Sequence, residues 1–497
     1  MNGWENALVD LNLIESRKAE SPPHSKPLEF ERAEPQWMHY GDIIRILGTI
    51  AVVIGHVSDM ILYQTHDPGS AAGLLTGPGT LNWYVCNIWD SAMRWAVPIY
   101  IMLSGSLLLD PNRVESPSRF YHKRLMRIGV PLVFWSFFFM WVDVYYTGWR
   151  ATHNLAGQPD YEIYKDNGWV FLWSANSLFQ WFHNFIHYQP QDWGDHTRWD
   201  WVKYLVLYRP QLAWINLLKG QPYMHMHFIF RIAGLYAFTP VLRVCLRHIS
   251  RPMLIATVIT MLAMSSADSV ANNITGTTLS AFARFVPFLG YYLVGYLLRN
   301  AIMSWKMLLG CTAGLLMTIA VLAYGTQLLV QHDVIDAAVK AGGNTATYAI
   351  SGPPSLNMML YDFLSPVRVV MAVFAWVVLV NIFRNPWPRG ERGRSIIRFW
   401  ANTTLGLYLI HPLFREMWFM QAPKWIGPHI EEILKMHGGV MFHKFQTVLN
   451  QWKENGLNAT FPNVWEGVPF VTVLVYVPSL IATIIIMRIP YVRRIAG

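Results

Sequence analysis

The sequence predicts an all-α polytopic membrane protein of about ten transmembrane helices with both termini in the cytoplasm. Composition is the first reason. Of 497 residues, 53% are hydrophobic and only 14% charged, whereas soluble domains carry about a quarter charged residues, and the mean hydropathy is positive at +0.25. The second reason is that apolar stretches long enough to cross about 30 Å of hydrocarbon recur along the chain. The third is that Lys and Arg gather in alternate short loops, as the positive-inside rule requires.

Residues 1–40 are polar, with SPPHSKP and EFERAEPQ. They show no basic segment followed by an apolar one, so they read as a disordered cytoplasmic tail and not a cleavable signal peptide. The membrane domain follows over 41–490, with candidate spans near 42–63, 84–109, 128–147, 224–244, 253–270, 283–299, 304–330, 358–383, 399–420 and 468–488. Arg113, Arg119, Lys123, Arg124 and Arg127 lie in one inner loop, and Arg384, Arg389, Arg392, Arg394 and Arg398 in another. On the opposite side, 64–80 has no basic residue and 331–357 has only Lys340. This loop charge accounts for the net +9, and no basic face suited to nucleic acid is present. Cys86, Cys245 and Cys311 form neither a disulfide framework nor a metal-ligand spacing, so no metal is expected.

Two extracytoplasmic insertions, 148–222 and 421–467, exceed ordinary loop length. The first is crowded with tryptophans among Asn, Gln, Asp and His. It reads either as interfacial helices in an aromatic belt or as a platform on which sugar rings stack. Within it, 168–188 is nearly long enough to span, and its polar residues leave open whether it crosses.

The polar residues inside apolar runs carry the functional signal. Arg45 and His56 stand eleven positions apart in the first span, an interval that returns to nearly the same helix face with a rise of about 16 Å. Asp42 and Asp59 lie at i,i+3 spacing to them. Ionisable groups at membrane depth cost about 3 kcal/mol on insertion scales and therefore face a partner, a cavity or a substrate path. A buried polar clamp between helices is the plain alternative. The second span, WDSAMRWAVPIYIMLSGSLLL, adds Asp90 and Arg94 at i,i+4, a bend expected at Pro98, and Ser104 with Gly105 for close approach. FYHKRLMRIGVP places Lys123, Arg124 and Arg127 at a helix entry, either as positive-inside anchors or as an anion site suited to phosphates. His411 before Pro412 reads as a hydrogen-bonded core histidine. Arg231, Arg368 and Arg415 read as paired with Asp362, Glu416 or backbone carbonyls, or as snorkelling.

With R-x10-H in the first span, then RWAVPIYIMLSGSLLL and FYHKRLMRIGVPLVFWS, the chain resembles the acyltransferase 3 family of membrane O-acyltransferases. Downstream, MHMHFIFRIAGLYAFTPVLR, FVPFLGYYLVGYLL and LGLYLIHPLF resemble further family segments, in order, so that the likeness runs from about 40 to 488. Aligned on Leu235, Tyr236 and Pro240, the family's histidine falls on His225, while His227 stands where tryptophan is usual.

The resemblance implies transfer of an acyl group, usually acetyl, from cytoplasmic acyl-CoA (acetyl-CoA) to a hydroxyl of an extracytoplasmic or lipid-linked glycan. It also implies an inner (plasma) membrane location and work alongside a polysaccharide biosynthesis complex. His56 is then the base or acyl relay, since imidazole titrates in the range such proton transfers need. Arg45 and Arg94 would orient the donor or stabilise an oxyanion, and Asp59 would orient His56. Lys123, Arg124 and Arg127 would hold CoA phosphates, with His225 and His227 toward the acceptor. The competing classes are a transporter or flippase of a glycan or lipid-linked precursor, and a structural subunit of a polysaccharide synthesis complex.

Overall fold

The computed structural model describes residues 39–62, 80–113, 115–139, 223, 225–275, 285–340, 359–385, 390–420 and 464–497. The expected tail up to residue 38, the 148–222 insertion with its 168–188 segment, and 421–463 lie outside the described residues. Those described are helical, with no strand among them. The order is α1 (His39–Leu62), α2 (Leu81–Met93), α3 (Ala96–Leu108), α4 (Pro117–Arg124), α5 (His227–His248), α6 (Arg251–Thr275), α7 (Leu289–Leu297), α8 (Trp305–Lys340), α9 (Pro366–Ile382), α10 (Glu391–Met420) and α11 (Val464–Arg488). After α4 the chain widens into a π-helical turn, Leu125–Gly129, and continues as helix over 130–139.

Six helices are long and apolar enough to cross a membrane: Tyr40–Asp59, His227–His248, Arg251–Asn272, Trp305–His332, Met359–Ile382 and Gly467–Arg488. They coincide with six of the expected spans. The other four stretches are built differently. The second is broken into α2 and α3; 283–299 is a 3-10 turn, Val286–Phe288, followed by the short α7; 399–420 is the apolar end of α10, whose first turns are basic; 128–147 is described only to residue 139.

The centre is held by the span Met359–Ile382, which contains α9 and whose apolar window is 61% buried, while that of α8 is only 11% buried and marks the rim. On α8, Leu309, Leu316, Met317, Val321 and Leu328 are exposed, an apolar surface that suits lipid. Inside, Val53, Val57, Trp83 and Cys86 pack with Leu322, Met371, Val471 and Val475. Lipid tails are as apolar as these side chains, so association here rests on close van der Waals fit and on polar contacts, not on expulsion of water.

The closest crossing is α3 on α7. A Cβ on Gly105 would lie 1.8 Å from the carbonyl oxygen of Tyr292, and one on Gly295 would lie 1.8 Å from that of Met102. The two backbones touch reciprocally through glycine, the small-residue contact by which membrane helices approach.

The break between α2 and α3 falls at Arg94 and Trp95, earlier than the bend expected at Pro98. Pro98 has no N–H, so the carbonyl four residues before it, that of Arg94, loses its helical donor. That carbonyl accepts instead from Arg368 Nε of α9 at 2.9 Å, while Arg368 Nη1 donates to the Tyr361 carbonyl at 2.7 Å. A fully buried arginine thus serves backbone oxygens, as membrane interiors require of irregular helix.

Beyond α3, the loop to α4 is organised by Glu115, whose side chain is only 5% exposed. Lys123 Nζ donates to it at 2.7 Å, with Arg113 at 3.6 Å and Arg243 at 3.8 Å. Burial acts to raise the Glu115 pKa, but the Lys123 hydrogen bond and the charges of Arg113 and Arg243 outweigh it, holding the carboxyl below its ordinary value. The stability this group contributes is therefore complete above about pH 4.3 and is lost as pH falls through the lowered folded value. The difference in melting temperature between wild type and Glu115→Gln in detergent is expected to be constant from pH 8 to 5 and to shrink toward zero below about pH 4. A difference that is unchanged at pH 3.5 would remove the carboxylate from this role.

Candidate active site

Helix α1 presents two polar stations. At the first, Arg45 Nη1 donates to Asp42 Oδ1 at 2.8 Å, the i,i+3 pair that the spacing predicts. The Arg45 carbonyl accepts from Tyr100 Oη at 2.7 Å and from Thr49 Oγ1 at 2.8 Å, fixing α3 against α1. Beside it lies a cavity of about 140 Å³ whose lining includes Arg45, Arg124, Arg127, Tyr236, Ser104 and Asn402. Three of the expected donor-side cations thus share one space. Lys123 turns to Glu115 instead and is half exposed.

At the second station, His56 Nδ1 lies 3.4 Å from Asp59 Oδ2. The other Asp59 oxygen accepts from Arg94 Nη2 at 2.9 Å, and Arg94 Nε donates to Asp90 at 2.8 Å. The Arg94 guanidinium also lies over the Tyr361 ring, 4.2 Å from its centroid. Tyr361 in turn bonds Ser91 at 2.9 Å and Asn87. Desolvated carboxylates persist when paired in this way. Asp59 is therefore held from behind, with its free edge on His56. Arg94 sits in this support and not beside Arg45, so the structure assigns the two arginines to different stations.

Helix α10 completes the second station. The His411 ring stacks on His56, with centroids 5.3 Å apart and planes 26° from parallel. His225, at the entry to α5, meets His411 edge-on at 5.7 Å. Both His225 and His411 are buried. Arg415, one turn beyond His411, donates to the His56 carbonyl at 3.4 Å. His227 packs against Phe363, ring centroids 5.4 Å apart. Phe363 also lies under Arg231 at 4.8 Å and Arg368 at 4.2 Å. Of the two acceptor-side histidines expected from sequence, His225 meets this histidine cluster through its ring. His411 and Arg415, read from sequence as structural, stand at its centre. The signal that could have found His411 is the proline after it, which disturbs the helix at that point.

Tyr408 joins the two stations. It lines the arginine cavity, its ring lies 5.8 Å from His411 and 5.6 Å from His225, and its hydroxyl donates to the His225 carbonyl at 2.7 Å. The arrangement offers one imidazole backed by a carboxylate, with a cationic space about 16 Å away along α1.

A family model described as an acyltransferase domain matches residues 38–488. No curated protein and no solved structure matches the chain.

Proposed function

The chain belongs to the acyltransferase 3 family, and from that premise we propose that it is an inner-membrane O-acyltransferase moving acetyl from cytoplasmic acetyl-CoA to a hydroxyl of an extracytoplasmic or lipid-linked polysaccharide. The observation that carries this reading is the His56–Asp59–Arg94 chain within the membrane helices. A carboxylate on Nδ1 holds that nitrogen protonated, which leaves Nε2 as the lone pair that attacks an acyl carbon or takes a hydroxyl proton. Asp59 also offsets the positive charge that His56 acquires as it reacts.

Arg45, Arg124 and Arg127 suit the phosphates of CoA, because guanidinium forks match phosphate oxygens and remain charged. Arg124→Ala is expected to raise the KM for acetyl-CoA about tenfold with little change in kcat, since it removes binding energy remote from the reacting carbon. An unchanged KM would take Arg124 out of the donor site.

The proposal is tested by comparing the acetyl content of surface polysaccharide in cells with and without the protein, alongside CoA release from labelled acetyl-CoA by the purified protein. Acetylation lost together with the protein, and CoA release in vitro, are the expected results. Glycan crossing the membrane with no acyl-CoA bound would favour a transporter instead.

A further inference from the structure

Helix α10 contains Pro412, which has no N–H to offer the carbonyl of Tyr408 four residues earlier. That carbonyl lies 2.7 Å from His411 Nδ1. A carbonyl oxygen only accepts, so Nδ1 carries the proton, and in the neutral ring Nε2 is a bare lone pair. His411 Nε2 is buried and without a hydrogen-bond partner among the described residues, as are both ring nitrogens of His225 beside it. An unpaired buried polar atom is costly, and an O–H group is what a bare imidazole nitrogen lacks. Next to it stands His56, whose own Nδ1 is engaged by Asp59. The site therefore sets the His56 ring, held at Nδ1 by Asp59, against the His411 ring with its unpartnered Nε2.

Resting on the acyltransferase reading, we infer that the two histidines divide the reaction, with His56 carrying the acyl group and His411 acting as the base that deprotonates the acceptor hydroxyl. In the first half, His56 Nε2 bonds to the thioester carbonyl carbon and the C–S bond breaks. The CoA thiolate leaves with the electron pair, and the acyl-imidazolium keeps its Nδ1 proton against Asp59. In the second half, the acceptor hydroxyl enters against His411, displacing the contacts that seal it. Its proton passes to His411 Nε2 as its oxygen bonds to the acyl carbon. The C–N bond breaks and its pair returns to His56 Nε2. His411 then gives the proton to the thiolate, directly or through water, and the sum is ester plus CoA thiol. His225, with one ring nitrogen to donate and one to accept, suits a neighbouring hydroxyl of the same acceptor.

The test separates the halves in purified protein given acetyl-CoA labelled in its acetyl group, with methyl glucoside and water as hydroxyl probes. His411→Asn keeps an N–H for the Tyr408 carbonyl and lacks the basic nitrogen, while His411→Phe keeps the ring on His56. Both are expected to release CoA in a burst of about one per protein and to retain the label. Its discharge to either probe should slow by about 10²–10⁴-fold. His56→Ala should take no label. Melting temperature in detergent establishes that each variant is folded, and a fold lost in one leaves the other to decide. Labelling and discharge falling together in a folded variant would make His411 a prop for His56 and overturn the inference, as would discharge at the wild-type rate. Wild-type turnover without label on the protein would overturn it while leaving the acyltransferase intact. Wild type that neither labels nor releases CoA would sink the acetyl-CoA reading itself.

Discussion

His56→Ala is expected to lower acetyl transfer by at least about 10²-fold and by as much as about 10⁴-fold, the range that a positioned imidazole contributes. The side chain is 24% exposed, so its truncation leaves no deep cavity, and the melting temperature should change little. What is lost is the lone pair that Asp59 and Arg94 hold ready. Asp59→Asn is expected to give a loss in the same direction with His56 still present, because an amide neither fixes the imidazole tautomer as firmly nor balances a positive ring. The measurement is initial-rate CoA release in lipid nanodiscs at saturating acetyl-CoA, with the fold checked by melting. A His56→Ala protein that keeps more than half of the wild-type rate would dismiss His56 from the chemistry.

The second large effect is structural. Gly105→Ala and Gly295→Ala each put a methyl carbon 1.8 Å from a backbone oxygen of the opposite helix. A flexible side chain would move aside, but here the obstacle is main chain, so α3 and α7 must separate along their whole contact. The cost is expected at or beyond the upper end of overpacking, about 3 kcal/mol, and neither variant should yield folded protein comparable to wild type. Gly310→Ala is the control. Nothing lies within 4 Å of its added carbon, so it should be neutral or gain a few tenths up to about 1 kcal/mol of helix propensity. Similar yields and melting temperatures for all three would refute the close crossing.

The parts of this site that were legible in the sequence are those set by a single helix. Asp42–Arg45, His56–Asp59 and Asp90–Arg94 follow from i,i+3 and i,i+4 spacing alone, and each forms. The Arg94–Asp59 contact joins two helices, and no spacing reports it. Gly105 was readable as a point of close approach, but not its partner, since small residues recur in many apolar runs. His411 was read as a core histidine, which its burial suits. Its stacking on His56 depends on how α10 packs against α1, and that is a property of the assembled fold. Apolar stretches mark where chain meets lipid, yet composition does not report continuity, which is why the second span proves to be two helices. The arginine-lined cavity was half legible, because Arg124 and Arg127 line it while neighbouring Lys123 is drawn off by Glu115.

Pro98 and Pro412 are, by ordinary standards, flaws in their helices. A protein engineer seeking a tougher variant would replace them first, and each repair would restore a backbone bond and straighten a segment. Such a repair at 98 would compete with Arg368 for the Arg94 carbonyl, and at 412 with His411 for the Tyr408 carbonyl. If His411 is the base proposed above, robustness and turnover pull against each other at position 412, where selection for heat resistance alone would straighten the helix at the expense of the histidine's anchoring.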